Sequence, residues 1–173
     1  MRGGPGEALN RGKVVERPQT EVIDVREAVN AALLEVEPQL SARRLDSVGD
    51  IAPGVLVLAE REKLRGILLT LLSNAIRFAT RGGYVMVDVG YPIDGPTNVV
   101  MLRVGDNGQG IPRERQEEIF DPPPVGEENV RAPLTGPGLA VSRDWAREMD
   151  GNIRVRSEEG NGSVFTLTLP RAG

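Results

Sequence analysis

The sequence predicts an α+β layer fold with a mixed or antiparallel sheet, and three observations lead to it. Apolar segments of period 2 and of period 3.6 are both present but do not alternate strictly, which disfavours a string of βαβ units. The chain has 173 residues, 39% of them hydrophobic, which suits one core and not two. Its longest apolar runs, such as residues 67–72, fall far below the ~20 residues that cross a bilayer, so a soluble segment without direct membrane contact is expected.

Residues 1–20 carry Gly, Pro and charge without apolar period and are expected to be a disordered tail or linker, leaving 21–173 as the folded domain. Residues 21–25 (EVIDV) read as a strand, and Val29, Ala32, Leu33 and Val36 recur at helical spacing over 25–40, with Asp24 as N-cap. A second strand at 54–59 (GVLVLA) is expected to pair with the first. Over 60–80, Leu64, Ile67, Leu68, Leu71, Leu72 and Ala75 form one face of a long amphipathic helix that the Arg81-Gly82-Gly83 turn ends. Residues 84–89 and 99–104 predict a hairpin across the turn-rich 90–98. Pro112 opens a short helix to about Phe120, and 121–137, with five prolines, reads as a long loop of the kind that is often functional. A helix over 139–149 and strands over 152–157 and 163–169 complete the chain.

The charge balance, 21 Lys and Arg against 25 Asp and Glu, offers no basic stripe for nucleic acid. With no Cys and no His, thiolate nucleophiles, imidazole bases and phosphohistidine are excluded within these residues. The phosphate-loop and Rossmann glycine patterns are missing as well.

Four pieces remain that could carry chemistry. Thr70, Asn74 and Arg77 lie at i, i+4 and i+7 of the long helix, so an amide oxygen suited to a metal stands near a guanidinium suited to phosphate. A solvated helix face is the alternative reading. Asp106-Asn107-Gly108-Gln109-Gly110 places a carboxylate at a strand end before two glycines, where it could accept from an adenine amino group, or form an ordinary Asx turn. Gly136-Pro137-Gly138-Leu139 precedes a helix whose first N–H groups attract phosphate, or is a plain N-terminal loop. Gly160-Asn161-Gly162-Ser163 leads into the last strand and reads alone as a hairpin turn.

In this order the pieces resemble the ATP-binding catalytic domain of bacterial sensor histidine kinases, a branch of the superfamily shared with gyrase, Hsp90 and MutL. Residues 68–78 (LLTLLSNAIRF) look like its N box, Asp106-x-Gly108-x-Gly110 like its first glycine box, and Ile119-Phe120-Asp121-Pro122 like its F box. Gly136-x-Gly138-Leu139 is similar to its second glycine box, and Gly160-x-Gly162-Ser163-x-Phe165 to its closing run. The resemblance covers 21–170 and implies a two-layer α/β sandwich of the Bergerat type: a mixed, mostly antiparallel sheet with three main helices on one face and ATP under a lid at 121–138.

By the same resemblance, Asn74 would coordinate Mg²⁺, Arg77 would touch phosphate, Phe78 would line the site and Asp106 would read the adenine amino group. Gly108 and Gly110 would permit close approach, and Gly136, Gly138 and Leu139 would cradle phosphate. Thr166 would join Asp106 around adenine through water, while Ile111 and Phe165 would be core residues with at most an edge on the base. The implied activity is transfer of the γ-phosphoryl group of Mg-ATP to a histidine. That histidine would lie on a dimerisation hairpin, in cis or in trans, with a response regulator downstream and the cytoplasm as the setting. Alternatives are a degenerate nucleotide-binding regulatory module or a serine kinase of the anti-sigma-factor type. Three departures bear on the choice: Thr70 stands where the family has Asn or a carboxylate, Pro123 replaces the second Phe of the F box, and Pro137 has no N–H to donate.

Overall fold

Asp24 ends the first strand and starts the first helix: its carboxylate accepts the backbone N–H groups of Arg26 at 2.9 Å and Glu27 at 3.3 Å, satisfying donors that a helix start leaves open. In the computed structural model, which describes residues 19–122 and 136–173, strand β1 (Glu21–Asp24) runs directly into helix α1 (Val25–Ala42). The expected tail at 1–20 therefore lies outside the described residues except at its end. Helix α1 buries Val29, Ala32, Val36 and Leu40 and continues past Pro38, which is exposed, so the hydrogen bond lost there faces water. Strand β1 pairs antiparallel with β3 (Leu56–Ala59), as the sequence predicts.

Between them lies a strand that the sequence reading misses, β2 (Asp46–Val48), three exposed residues with no alternation to signal it. It pairs parallel with β4 (Tyr84–Gly90) and makes the main sheet mixed. Helix α2 (Arg61–Phe78) sends its apolar stripe into the core; Leu64, Ile67, Leu68, Leu71 and Leu72 are buried, each contributing about 1.5–3 kcal/mol. Strand β4 forms a hairpin with β5 (Val99–Asp106), β5 pairs with β7 (Ser163–Pro170), and β7 pairs with β6 (Asn152–Ser157), giving the order β2-β4-β5-β7-β6.

Val85, Val87, Leu102, Val104, Phe165 and Leu167 point from the sheet into one core with the helices, while Met86, Asp88, Arg103 and Thr166 lie in alternate positions and are half-buried. Helix α2 packs between α1 and α3 (Leu139–Glu148) on that single covered face, a two-layer arrangement. The short helix expected over 112–120 is instead two separate 3₁₀ turns, Arg113–Arg115 and Glu118–Phe120. Of those six residues only Phe120 is buried, so no apolar stripe exists to hold a continuous α-helix there.

Candidate nucleotide site

Three of the four sequence pieces meet at the C-terminal half of α2. Thr70 and Asn74 are buried at 3% and 5% exposure, so the solvated-face reading fails for them. Helix α2 lies between two other helices and the sheet, so residues flanking its stripe are enclosed too. The Asn74 Oδ1 accepts from Arg77 Nη2 at 3.5 Å, and the Arg77 guanidinium lies 5.0 Å from the centre of the half-exposed Phe78 ring.

Asp106 is the last residue of β5 and is buried. Its Oδ1 accepts the Gly108 N–H at 2.8 Å. Burial holds its pKa above the ordinary carboxylate range, against the pull of backbone N–H groups from Gly108 and Ser163. Gly108 sits where any Cβ would collide with the Phe78 carbonyl oxygen, so the end of α2 and the Asp106 loop touch backbone to backbone. Gly110, at φ +75°, likewise has no room for a Cβ, which would collide with the Glu158 carbonyl oxygen, and the Gly160 N–H donates to the Gln109 carbonyl at 2.7 Å. Ile111 packs on the core and donates its N–H to Ser157 Oγ at 2.7 Å.

The glycine turn before α3 reaches the same place. Gly138 donates its N–H to Thr70 Oγ1 at 3.2 Å, and a Cβ on Gly136 would collide with that hydroxyl. Pro137 packs over Gly66, where a Cβ would come within 3.3 Å of its Cδ. Helix α3 starts at Leu139, half-buried against the core, with no side-chain cap; its first N–H groups therefore carry positive potential towards this region. Phe120 meets Phe165 edge-on at 6.4 Å, and Arg143 of α3 stacks over it at 4.4 Å. The rest of the expected lid, including Pro123, falls within 123–135 and so outside the described residues.

One expected member is misplaced. Thr166 lies opposite Arg103 and Arg154 and alternates with the buried Phe165, which puts it on the sheet face away from the helices. The residue opposite Asp106 on β7 is Ser163, 5% exposed, with its Oγ 2.8 Å from that of Ser157. Counting back by twos from Phe165 reaches Ser163 and never Thr166, so the sequence did hold the signal.

The matches to known proteins follow the same segments. The family described as "Histidine kinase-, DNA gyrase B-, and HSP90-like ATPase" matches residues 59–173. The histidine protein kinase DivJ of Caulobacter vibrioides is 37% identical over 155 residues, covering 88% of this chain and 25% of DivJ. The aerobic respiration control sensor protein ArcB of Escherichia coli is 42% identical over 116 residues, covering 65% of this chain and 14% of ArcB. The chain thus spans a quarter or less of these two relatives. Among solved structures, full-length ShkA in complex with AMPPNP is 25% identical with a TM-score of 0.74, covering 93% of this chain and 33% of that one. The catalytic domain of the histidine kinase ThkA is 22% identical with a TM-score of 0.74, covering 88% and 96%, and shares the fold. With the family's pattern matched over residues 59–173, the chain belongs to the histidine kinase-, DNA gyrase B- and HSP90-like ATPase family.

Proposed function

We propose that this chain is a kinase catalytic domain, bounded by 21–173, that binds Mg-ATP and delivers the γ-phosphoryl group to a histidine. The acceptor would lie on a helical hairpin in cis or in trans, since this sequence contains no His. A response regulator would receive the group next, and the setting would be the cytoplasm. The observation that carries the reading is that the C-terminal half of one helix bears Asn74, takes the Gly138 turn at Thr70 and takes the Asp106 loop at Phe78.

In this reading the base sits at Asp106, whose carboxylate accepts from the Gly108 and Ser163 backbone N–H groups and has lone pairs left to accept from the adenine amino group. Ser163, beside it, supplies a hydroxyl. Phe78 and Ile111 line the approach, and Arg77 and the start of α3 face the phosphates with positive charge. The Asn74 amide oxygen fits a Mg²⁺ that also takes nucleotide phosphates. Among the described residues no group of three or more Asp, Glu, His or Cys could hold a metal by itself, so metal and nucleotide would bind together. Bound there, Mg²⁺ would neutralise charge on the transferring phosphoryl group. Thr70 cannot take up a proton near neutral pH and already accepts from Gly138, which argues against hydrolysis by activated water.

Thr70 and Pro137 also favour a second reading, a regulatory module that binds nucleotide without transferring phosphate. Calorimetric titration with a non-hydrolysable ATP analogue tests the shared part: binding should need Mg²⁺ and fall at least roughly ten-fold in Asn74→Ala, and unchanged affinity in that variant would sink both readings. Mixing the domain with a His-bearing hairpin and labelled ATP then separates them. Acid-labile label on the hairpin supports the kinase, its absence supports the module, and acid-stable label points to a serine kinase.

A further inference from the structure

We infer that Arg43, which lies outside every motif, is a positioning residue for the nucleotide site. It is the half-buried residue that ends α1, and its guanidinium reaches across to the end of α2. Its Nη1 donates to the carbonyls of Ile76 and Arg77, both at 2.5 Å, and its Nη2 to that of Ala79 at 2.9 Å. Two of these carbonyls belong to the last turn of α2 and the third to Ala79, the extended residue that caps it, where backbone donors have run out and the dipole is negative. A planar guanidinium supplies several donors and a positive charge in one rigid fan; a lysine ammonium supplies a single point.

What that turn carries is the reason for the assignment. Asn74, Arg77 and Phe78 project from it, and the Phe78 carbonyl is the one against which Gly108 is seated. The chain beyond is tied to the same loop: Thr80 Oγ1 donates to the Asn107 carbonyl at 3.1 Å, and Asn107 Oδ1 accepts the Tyr84 N–H at 3.2 Å. The Gly82 N–H closes the circuit by donating to the Arg43 carbonyl at 3.1 Å. Arg43 therefore sets where the end of α2 lies relative to the Asp106 loop, which is the spacing between the metal-and-phosphate side of the site and its base side. This inference rests on the nucleotide-binding reading above.

The test titrates Mg²⁺ and a non-hydrolysable ATP analogue into wild type, Arg43→Met, Arg43→Lys and Val36→Ala, well below every melting temperature. Val36 is fully buried in α1, about two helical turns before Arg43, so its truncation tests destabilisation of the same helix apart from the loss of the guanidinium. Arg43→Met should bind about ten-fold more weakly or worse, Arg43→Lys should recover part of the loss, and Val36→Ala should bind as wild type. Amide exchange at 77–80 should quicken in Arg43→Met and not in Val36→Ala. Equal affinity for Arg43→Met and Val36→Ala would overturn the inference. Should Arg43→Met fail to fold, Arg43→Lys decides, and wild-type affinity in it is the overturning result. A wild type that binds no nucleotide removes the functional reading itself, an outcome distinct from a binding wild type with an indifferent Arg43.

Discussion

The two ends of the candidate site are held in different ways. Asp106 and its loop are fixed by backbone: β5 is laddered on both sides, to Val85 and to Ser163, and Gly108, Gly110 and Gly162 each seat on a carbonyl with no room for a Cβ. Among the described residues, the glycine turn before α3 rests on α2 through a hydrogen bond to a side chain, Thr70 Oγ1, and through the packing of Pro137 over Gly66. A loop held by ladders and close backbone contacts keeps its shape when a side chain changes; a turn held by one hydroxyl does not. The base end should therefore separate function from stability under mutation, and the turn end should not.

The largest expected effect is at Asp106. Asp106→Asn keeps an oxygen for the Gly108 N–H but loses the charge, and affinity for an adenine nucleotide should fall about ten- to a hundred-fold, the worth of a hydrogen bond to a charged group. Stability should move the other way. Burial raises the Asp106 pKa from 3.8, so the folded state binds the proton more readily than the unfolded one. Wild-type stability therefore falls as pH rises from that ordinary value through the raised one, and the penalty persists at neutral pH. Asp106→Asn should melt at or above the wild-type temperature at pH 7, with the difference shrinking as pH falls through the folded-state pKa. A variant that loses stability along with affinity would break the comparison.

At the turn end, Thr70→Val retains shape and removes the acceptor for the Gly138 N–H. The expected cost is about 1 kcal/mol, or roughly 2–4 °C in melting temperature for a domain of this size. Nucleotide affinity should fall with it by about two- to five-fold, since a loss of up to about 1 kcal/mol corresponds to that range. A rise in affinity would mean that Thr70 competes with phosphate for the Gly138 N–H, and the turn would then be restrained by this contact rather than positioned by it.

Elements with a long period were legible. The stripe Leu64, Ile67, Leu68, Leu71 and Leu72 marks α2 because a buried face repeats at 3.6, and Val85, Val87 mark β4 because a one-sided sheet alternates. Strand β2 was hidden because three exposed residues carry no pattern, and its partner lies 38 positions along the chain, Asp46 opposite Tyr84. The two 3₁₀ turns look like one helix in sequence because Pro112 signals a start and nothing local signals the break. In the site, motif spacing brought Asn74, Asp106 and Gly138 forward together. Which face of β7 meets Asp106 is a matter of register, and Arg43 is invisible for a similar reason: its three carbonyl partners lie 33 to 36 residues away and are backbone atoms, which no side-chain pattern encodes.

The smallest expected effect sharpens the comparison from the rigid side. Helix α1 ends in a Schellman turn, with the Leu45 N–H donating to the Leu40 carbonyl at 2.9 Å and the Arg44 N–H to that of Ser41 at 3.1 Å. The residue that must turn left-handed there is Arg44, at φ +54°, and it is exposed. A side chain in that conformation costs about 1–2 kcal/mol, while glycine gives back roughly 0.5–1 kcal/mol through its freer unfolded chain. Arg44→Gly should thus stabilise the fold by about 0.5–1 kcal/mol. It leaves the Arg43 side chain, and with it the end of α2, where it is. If the base end is already held in its binding geometry, tightening the turn that bears Arg43 adds stability and leaves nucleotide affinity unchanged. A gain in affinity alongside the gain in stability would show instead that the end of α2 still samples other positions, and that the base end is less preorganised than its ladders imply.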